Sequence, residues 1–253
     1  MQADVIKAHL NLYAVLGDLA ELVRLDPMAA IIARDWDISI QFTVLGGPSA
    51  WLEFKQGVCR HGAGGYAGPT VWLSFATAGH LNQMFAGGKI PPIPLKGFQR
   101  LDFLKTEFPK LTERLEHFLK PSGVVLDEGD IETSTILMIN TAMAAIPVLA
   151  KLEPVSRQIT AATPFGTLEL KIGETGPAFW IRFSESGVSH GKGDAAGPAA
   201  RMGFRDLAVA RQVITGAVDG FTAIGRGDVT ISGLVPIIDN ASLIMDRVEH
   251  YLA

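Results

Sequence analysis

Trp51-Leu-Glu-Phe-Lys-Gln-Gly-Val-Cys-Arg-His61-Gly-Ala-Gly-Gly-Tyr-Ala-Gly-Pro69 returns 129 positions later as Trp180-Ile-Arg-Phe-Ser-Glu-Ser-Gly-Val-Ser-His190-Gly-Lys-Gly-Asp-Ala-Ala-Gly-Pro198. Extended without a gap from Gly47 to Gly87, the match holds 13 identities in 41 positions, against roughly three expected from ordinary residue usage. Closer to the end of each copy, Arg114-Leu-Glu-His-Phe-Leu119 answers Arg247-Val-Glu-His-Tyr-Leu252. The chain contains one domain twice. Its 253 residues divide into units too long for a solenoid repeat and of the right size to fold alone. The expected domains are 1–122 and 123–253, with the boundary at Pro121-Ser122-Gly123.

The order of elements repeats with the sequence. Leu10, Tyr13, Leu16, Leu19 and Leu22 read as a helix, and Asp26-Pro27 reads as the N-cap and first-turn proline of a short one. Ile38, Ile40, Phe42 and Val44 alternate as a strand, with further strands through Trp51–Phe54 and Val71–Phe75. Thr77 caps a helix stopped by Gly87, and a long helix is expected from about Gln99 to Lys120. In the second copy, Glu153-Pro154 stands where Asp26-Pro27 stood, and Asp206 replaces Thr77. A helix is expected over 133–152, apolar all round and therefore buried all round. Hairpin strands with helices before, between and after them predict an α+β fold with a largely antiparallel sheet in each copy.

Composition narrows the function classes. Apolar residues make up 48% and charged ones 19%, below the usual ~25% charged. The surplus apolar surface belongs between the copies, in a homodimer interface, or around an apolar ligand. A net charge of −4 gives no basic stripe for nucleic acid. A single cysteine, Cys59, excludes an internal disulfide framework and suits a cytoplasmic location. The N-terminal residues do not resemble a signal peptide, and the run 136–150 holds Asn140, Thr141 and Pro147 and falls short of the ~20 residues of a membrane span.

Enzyme chemistry finds no support. His61 and His190 recur, but no carboxylate recurs beside them to orient an imidazole as a base or metal ligand. Glu116-His117 and Glu249-His250 are neighbours that point about 100° apart on a helix, so they do not pair. Gly62-Ala-Gly-Gly-Tyr-Ala-Gly68 runs into a strand where a nucleotide-binding loop must open a helix, and the second copy places Asp194 where a phosphate would lie. No cofactor, metal or catalytic residue is expected.

Late in the second copy, Phe204-Arg-Asp-Leu207 is followed by Gly227-Asp228-Val-Thr-Ile-Ser-Gly233, which leads directly into Leu234–Leu252. This order resembles the sterol carrier protein, or non-specific lipid-transfer, domain, whose Gly-Asp-x-x-Ile-x-Gly strand enters the final helix. The first copy departs from the pattern: Lys89-Ile-Pro-Pro-Ile-Pro-Leu-Lys-Gly97 has prolines where a strand should donate ladder bonds. The resemblance implies a sheet of about five strands covered by helices, with an apolar tunnel for fatty-acyl chains or sterols. On that reading Phe183, Phe204, Ile214, Phe221, Ile231, Leu234, Ile244 and Val248 line the tunnel of the second copy. The alternative is an accessory or regulatory subunit whose cores are filled and whose apolar surface binds a partner protein.

Overall fold

The computed structural model describes residues 2–120 and 126–252, so the expected boundary at 121–123 lies outside the described residues. The chain groups into two compact units, Met1–Leu137 and Met138–Ala253. In the first, helices α1 (Gln2–Leu10), α2 (Asp18–Leu25) and α3 (Pro27–Ala33) precede strands β1 (Ile38–Val44), β2 (Ser49–Lys55), β3 (Val58–Ala63) and β4 (Val71–Phe75). Then come α4 (Ala78–Phe85), β5 (Ile93–Lys96), α5 (Leu101–Thr106) and α6 (Phe108–Leu119). The division between units falls within α7 (Glu128–Leu152). The second unit continues with α8 (Pro154–Ala162), β6 (Gly166–Ile172), β7 (Ala178–Ser184), β8 (Gly187–Lys192) and β9 (Ala200–Phe204). It closes with α9 (Leu207–Ile214), α10 (Gly220–Gly225), β10 (Val229–Gly233), α11 (Val235–Asp246) and α12 (Glu249–Leu252).

The two sheets have the same wiring. Their orders are β3-β2-β1-β4-β5 and β8-β7-β6-β9-β10. In each, one central pair is parallel (β1 with β4, β6 with β9) and the other pairs are antiparallel. Trp51 lies between Gln41 and Gly62, and Trp180 lies between Glu169 and Gly191, so the aligned tryptophans occupy one register position in two copies of one fold. The aligned glycines follow from those rings. A Cβ on Gly62 would sit 2.4 Å from Trp51 Cζ2, and one on Gly191 would sit 2.3 Å from Trp180 Cζ2.

The core of the first unit forms where strand alternation meets helix periodicity. Ile38, Ile40, Phe42, Leu52, Phe54, Val71, Leu73 and Phe75 from the sheet pack with Leu12, Leu19, Leu22, Leu111 and Phe118 from the helices. Burial follows the period of two along β2, where Ala50, Leu52 and Phe54 are buried and Ser49, Trp51 and Glu53 are not fully so. α7 is buried on nearly all sides, including Ile136, Ile139, Met143 and Ile146, with Met138 half-buried. It is a helix long and apolar enough to cross a membrane by length and composition, yet 78% of its most apolar window is buried inside the protein, as in a core helix.

Several helices are shorter than their periodicity predicts. The N-terminal pattern is interrupted by a π-helical turn at Asn11–Val15, where Leu16 N–H reaches back to Asn11 O at 2.8 Å. The expected 99–120 helix breaks at Glu107, since Pro109 supplies no N–H and begins a new first turn. The closing helix breaks at Arg247 and Val248 into α11 and α12. The strand that the prolines of 89–97 put in doubt does form. β5 is a four-residue outer strand with a register shift opposite Trp72 and Leu73, a position where Pro94 is tolerated. Its end is fixed by Gly97 (φ 85°), whose Cβ would lie 2.6 Å from Thr70 O, as Gly233 (φ 83°) ends β10 with a Cβ position 2.2 Å from Ala199 O.

Candidate functional site

At the junction of β10 and α11 the second unit exposes several apolar side chains. Val229 on β10 pairs with Phe204 on β9, and both are buried. Leu234 N–H donates to Ala199 O at 2.9 Å, which directs the chain from the strand into α11. Pro236, at the start of α11, loses no helical bond there. α11 packs on β6, β9 and α8, burying Ile237, Ile238, Ala241 and Ile244. On the same segment, Ile231, Leu234, Val235 and Leu243 are 37%, 46%, 41% and 50% exposed. Ile231, Leu234 and Val235 follow one another through the strand–helix junction, whereas Leu243 lies two turns along α11.

The eight expected lining residues divide accordingly. Phe183, Phe204 and Ile244 are buried, and Ile214 and Val248 are half-buried. Phe221, Ile231 and Leu234 are exposed, so they do not line a closed interior. Phe221 is 86% exposed because it sits in the first turn of α10, whose inward residue is Ala223. Leu234 is the N-cap of α11 and precedes the turn that faces the sheet. Ile231 lies on an outer strand without a further neighbour. A cleft of about 360 Å³ occurs elsewhere, in the first unit, beside Leu25, Pro27 and the carboxylates of Asp26, Asp130 and Glu132. Those charges make it unsuitable for an acyl chain.

Polar devices repeat in both copies, one joining helix to helix and one joining the sheet to a loop. Asp26 accepts from Ala29 N–H as the N-cap of α3 and receives a two-pronged bond from Arg114 of α6, Nε to Oδ2 at 2.7 Å and a terminal nitrogen to Oδ1 at 2.8 Å. Glu153 accepts from Ser156 N–H as the N-cap of α8 and receives a bond from Arg247, just beyond α11, at 2.9 Å. Burial alone would raise both carboxyl pKa values. The bonds from Arg114 and Ala29, and from Ser156 and Arg247, more than offset it and hold both below the ordinary carboxylate range. The second latch is the poorer one. Arg247 Nε and Thr160 Oγ1 are buried without a partner among the described residues. A second shared device is a side chain of the central strand that clasps the glycine-rich loop: Gln41 accepts from Tyr66 N–H, and Glu169 accepts from Ala195 N–H, each at 2.6 Å.

The histidines have structural surroundings. His61 Nε2 donates to Leu12 O at 2.8 Å, a carbonyl in the π-helical turn, and its ring lies against Gly17. Burial lowers its pKa, although the Leu12 carbonyl acts in the opposite sense. His190 is exposed. His117 faces Asp130 at 3.3 Å. Among the described residues, no three His, Cys, Asp or Glu side chains gather as metal ligands. Burial pushes the Cys59 thiol up to about 12, a value that keeps it protonated and unreactive. Sequence reading missed the latch, although its signal was present: Asp26-Pro27 and Arg114 recur together as Glu153-Pro154 and Arg247.

The likeness is to sterol carrier protein domains. Among solved structures, the UbiJ-SCP2 ubiquinone synthesis protein is 14% identical, with 44% of this chain and 90% of that chain covered at a TM-score of 0.33. Palmitated SCP2L2 from Aedes aegypti is 16% identical, covering 39% and 94% at 0.27. Sterol carrier protein 2 from Yarrowia lipolytica, in its apo form, is 13% identical, covering 50% and 93% at 0.31. No family model and no curated protein matches the sequence. The chain is a tandem duplication of one domain, each copy a five-stranded mixed sheet with helices.

Proposed function

We propose that the protein is a non-catalytic, soluble, cytoplasmic binder of an apolar molecule, a fatty-acyl chain or a sterol-like compound, and that the second copy holds it between β10 and α11. The observation that carries this reading is the run of exposed apolar residues Ile231, Leu234 and Val235 at the junction beside which Phe204, Ile237 and Ile244 are buried. The junction is built from the Gly227–Gly233 phrase that carries the family resemblance. Burying ten methylenes would contribute about 8 kcal/mol, micromolar affinity before the costs of binding. The test is displacement of a fluorescent fatty acid by an unlabelled one, repeated with Ile231→Asp/Leu234→Asp. Both positions are exposed, so the variant should fold. Binding by the wild type and its loss in the variant are expected. Absence of binding at about tens of micromolar would overturn the proposal, and binding unchanged in the variant would overturn its location.

A further inference from the structure

Between Glu53 and Asp102 the chain contains no Asp or Glu, whereas the whole chain has a net charge of −4. Within that interval Lys89, Lys96 and Arg100 fall in one exposed stretch that runs from the end of the α4 loop through β5 to the turn before α5. None of the three makes an ion pair among the described residues, whereas Arg114, Arg201, Arg205 and Arg247 all do. Interleaved with them, Ile90, Ile93, Leu95 and Phe98 are 54%, 49%, 51% and 62% exposed. Trp72, the β4 partner of Lys96, is also exposed and donates its indole N–H to Thr43 Oγ1.

This surface is not suited to receive another strand. β5 is the outer strand of its sheet, but Pro94 has no N–H to offer, and Pro91 and Pro92 remove two more just before it. Cations on long apolar stems, alternating with exposed Ile, Leu and Phe, match a different partner. The stems and rings can enter the boundary of a bilayer while the charges remain at its anionic headgroups. The second copy supplies an internal contrast. Its outer strand β10 is also flanked by exposed apolar residues, but the arginines beside it are partnered, Arg205 with Asp228 and Arg201 with Glu169.

We propose that Lys89–Arg100 is a membrane-docking edge that seats the first copy on anionic lipid headgroups. It stands on charge and exposure alone and does not depend on a ligand in the second copy. The test is co-sedimentation of the full chain with phosphatidylcholine vesicles, with and without about one third phosphatidylglycerol. Binding to the anionic vesicles, weakened by salt, is expected. Lys89→Gln/Lys96→Gln/Arg100→Gln should reduce partitioning on the order of a hundredfold. Leu95→Ser/Phe98→Ser should also weaken it, and Ile231→Ser/Leu234→Ser in the second copy should not. Each position is exposed, so the variants should fold, and circular dichroism checks that they do. No sedimentation, equal binding to both vesicle types, or a triple variant indistinguishable from wild type would each overturn the proposal, as would capture of a soluble acidic protein in place of vesicles. Fatty-acid displacement measured on the same variants keeps this result separate from the ligand-binding proposal.

Discussion

Removing the arginine from each carboxylate latch should destabilise the two units unequally, and only while the carboxylates are ionised. Arg114→Met and Arg247→Met keep most of the apolar stem and delete the guanidinium. In the first unit this breaks two charge-assisted bonds to Asp26, whose side chain is 4% exposed, and a stacking contact of 4.9 Å over Phe118. In the second it breaks one bond to Glu153, which is 3% exposed, and relieves a buried unpartnered Nε. A hydrogen bond to a charged group contributes about 1.5–3 kcal/mol, reduced here because the arginines are 26% and 30% exposed. The expected losses are therefore about 3 kcal/mol for Arg114→Met and about 1.5 kcal/mol for Arg247→Met. Both carboxyl groups have folded pKa values below the ordinary range. Their stabilisation is complete above the unfolded carboxylate pKa and disappears as pH falls through the lower, folded value. Hydrogen exchange in urea, read separately over α3 and α8, gives each unit's loss at neutral pH and near pH 3. Equal losses in the two units, or losses that persist unchanged in acid, would refute the reasoning.

Gly191→Ala should cost about 1–3 kcal/mol, because its Cβ would overlap the Trp180 ring at 2.3 Å; a stability equal to wild type by urea titration would contradict the packing. His61→Ala should lower the stability of the first unit by about 1–2 kcal/mol, since Leu12 O loses its side-chain donor. The folded pKa of His61 is depressed, so wild-type stability should be full above the ordinary histidine value and decline as pH drops below it, where the unfolded chain takes up the proton first. A pH titration of the unfolding midpoint in wild type and variant checks both. Cys59, buried and held protonated with a pKa of about 12, should be silent to a thiol reagent in the native state and react on unfolding; rapid native labelling would contradict its burial.

The duplication was legible because both copies spell out positions that backbone geometry leaves little room to change. Gly62 and Gly191 lie under tryptophan rings, and Thr77 and Asp206 each accept from the N–H of the third residue along. The strand order and register were not read from the sequence; they come from the structure. What escaped were long-range features whose local signals point elsewhere. The three-residue spacing of Leu10, Tyr13, Leu16, Leu19 and Leu22 reads as one helix, but the π-helical turn shifts the face halfway, and the Leu12 carbonyl within it is satisfied by His61 from β3. The prolines of 91–94 argue against a strand, while Gly97 argues for one as the counterpart of Gly233, and an outer position admits both. Among the expected lining residues, strand and helix positions fixed the burial of Phe183 and Ile244. Phe221 and Leu234 occupy helix starts, where the direction of a side chain depends on the angle at which the chain enters and apolarity alone does not report it.

Native mass spectrometry of the purified chain, followed by organic extraction, shows directly whether it carries an apolar ligand. The expected result is a species heavier than the bare polypeptide by one apolar molecule, which extraction releases as a fatty-acyl or sterol-like compound. Ile231→Asp/Leu234→Asp should lose that species. A wild-type chain that carries no apolar molecule, and takes none up from added fatty acid, would contradict it.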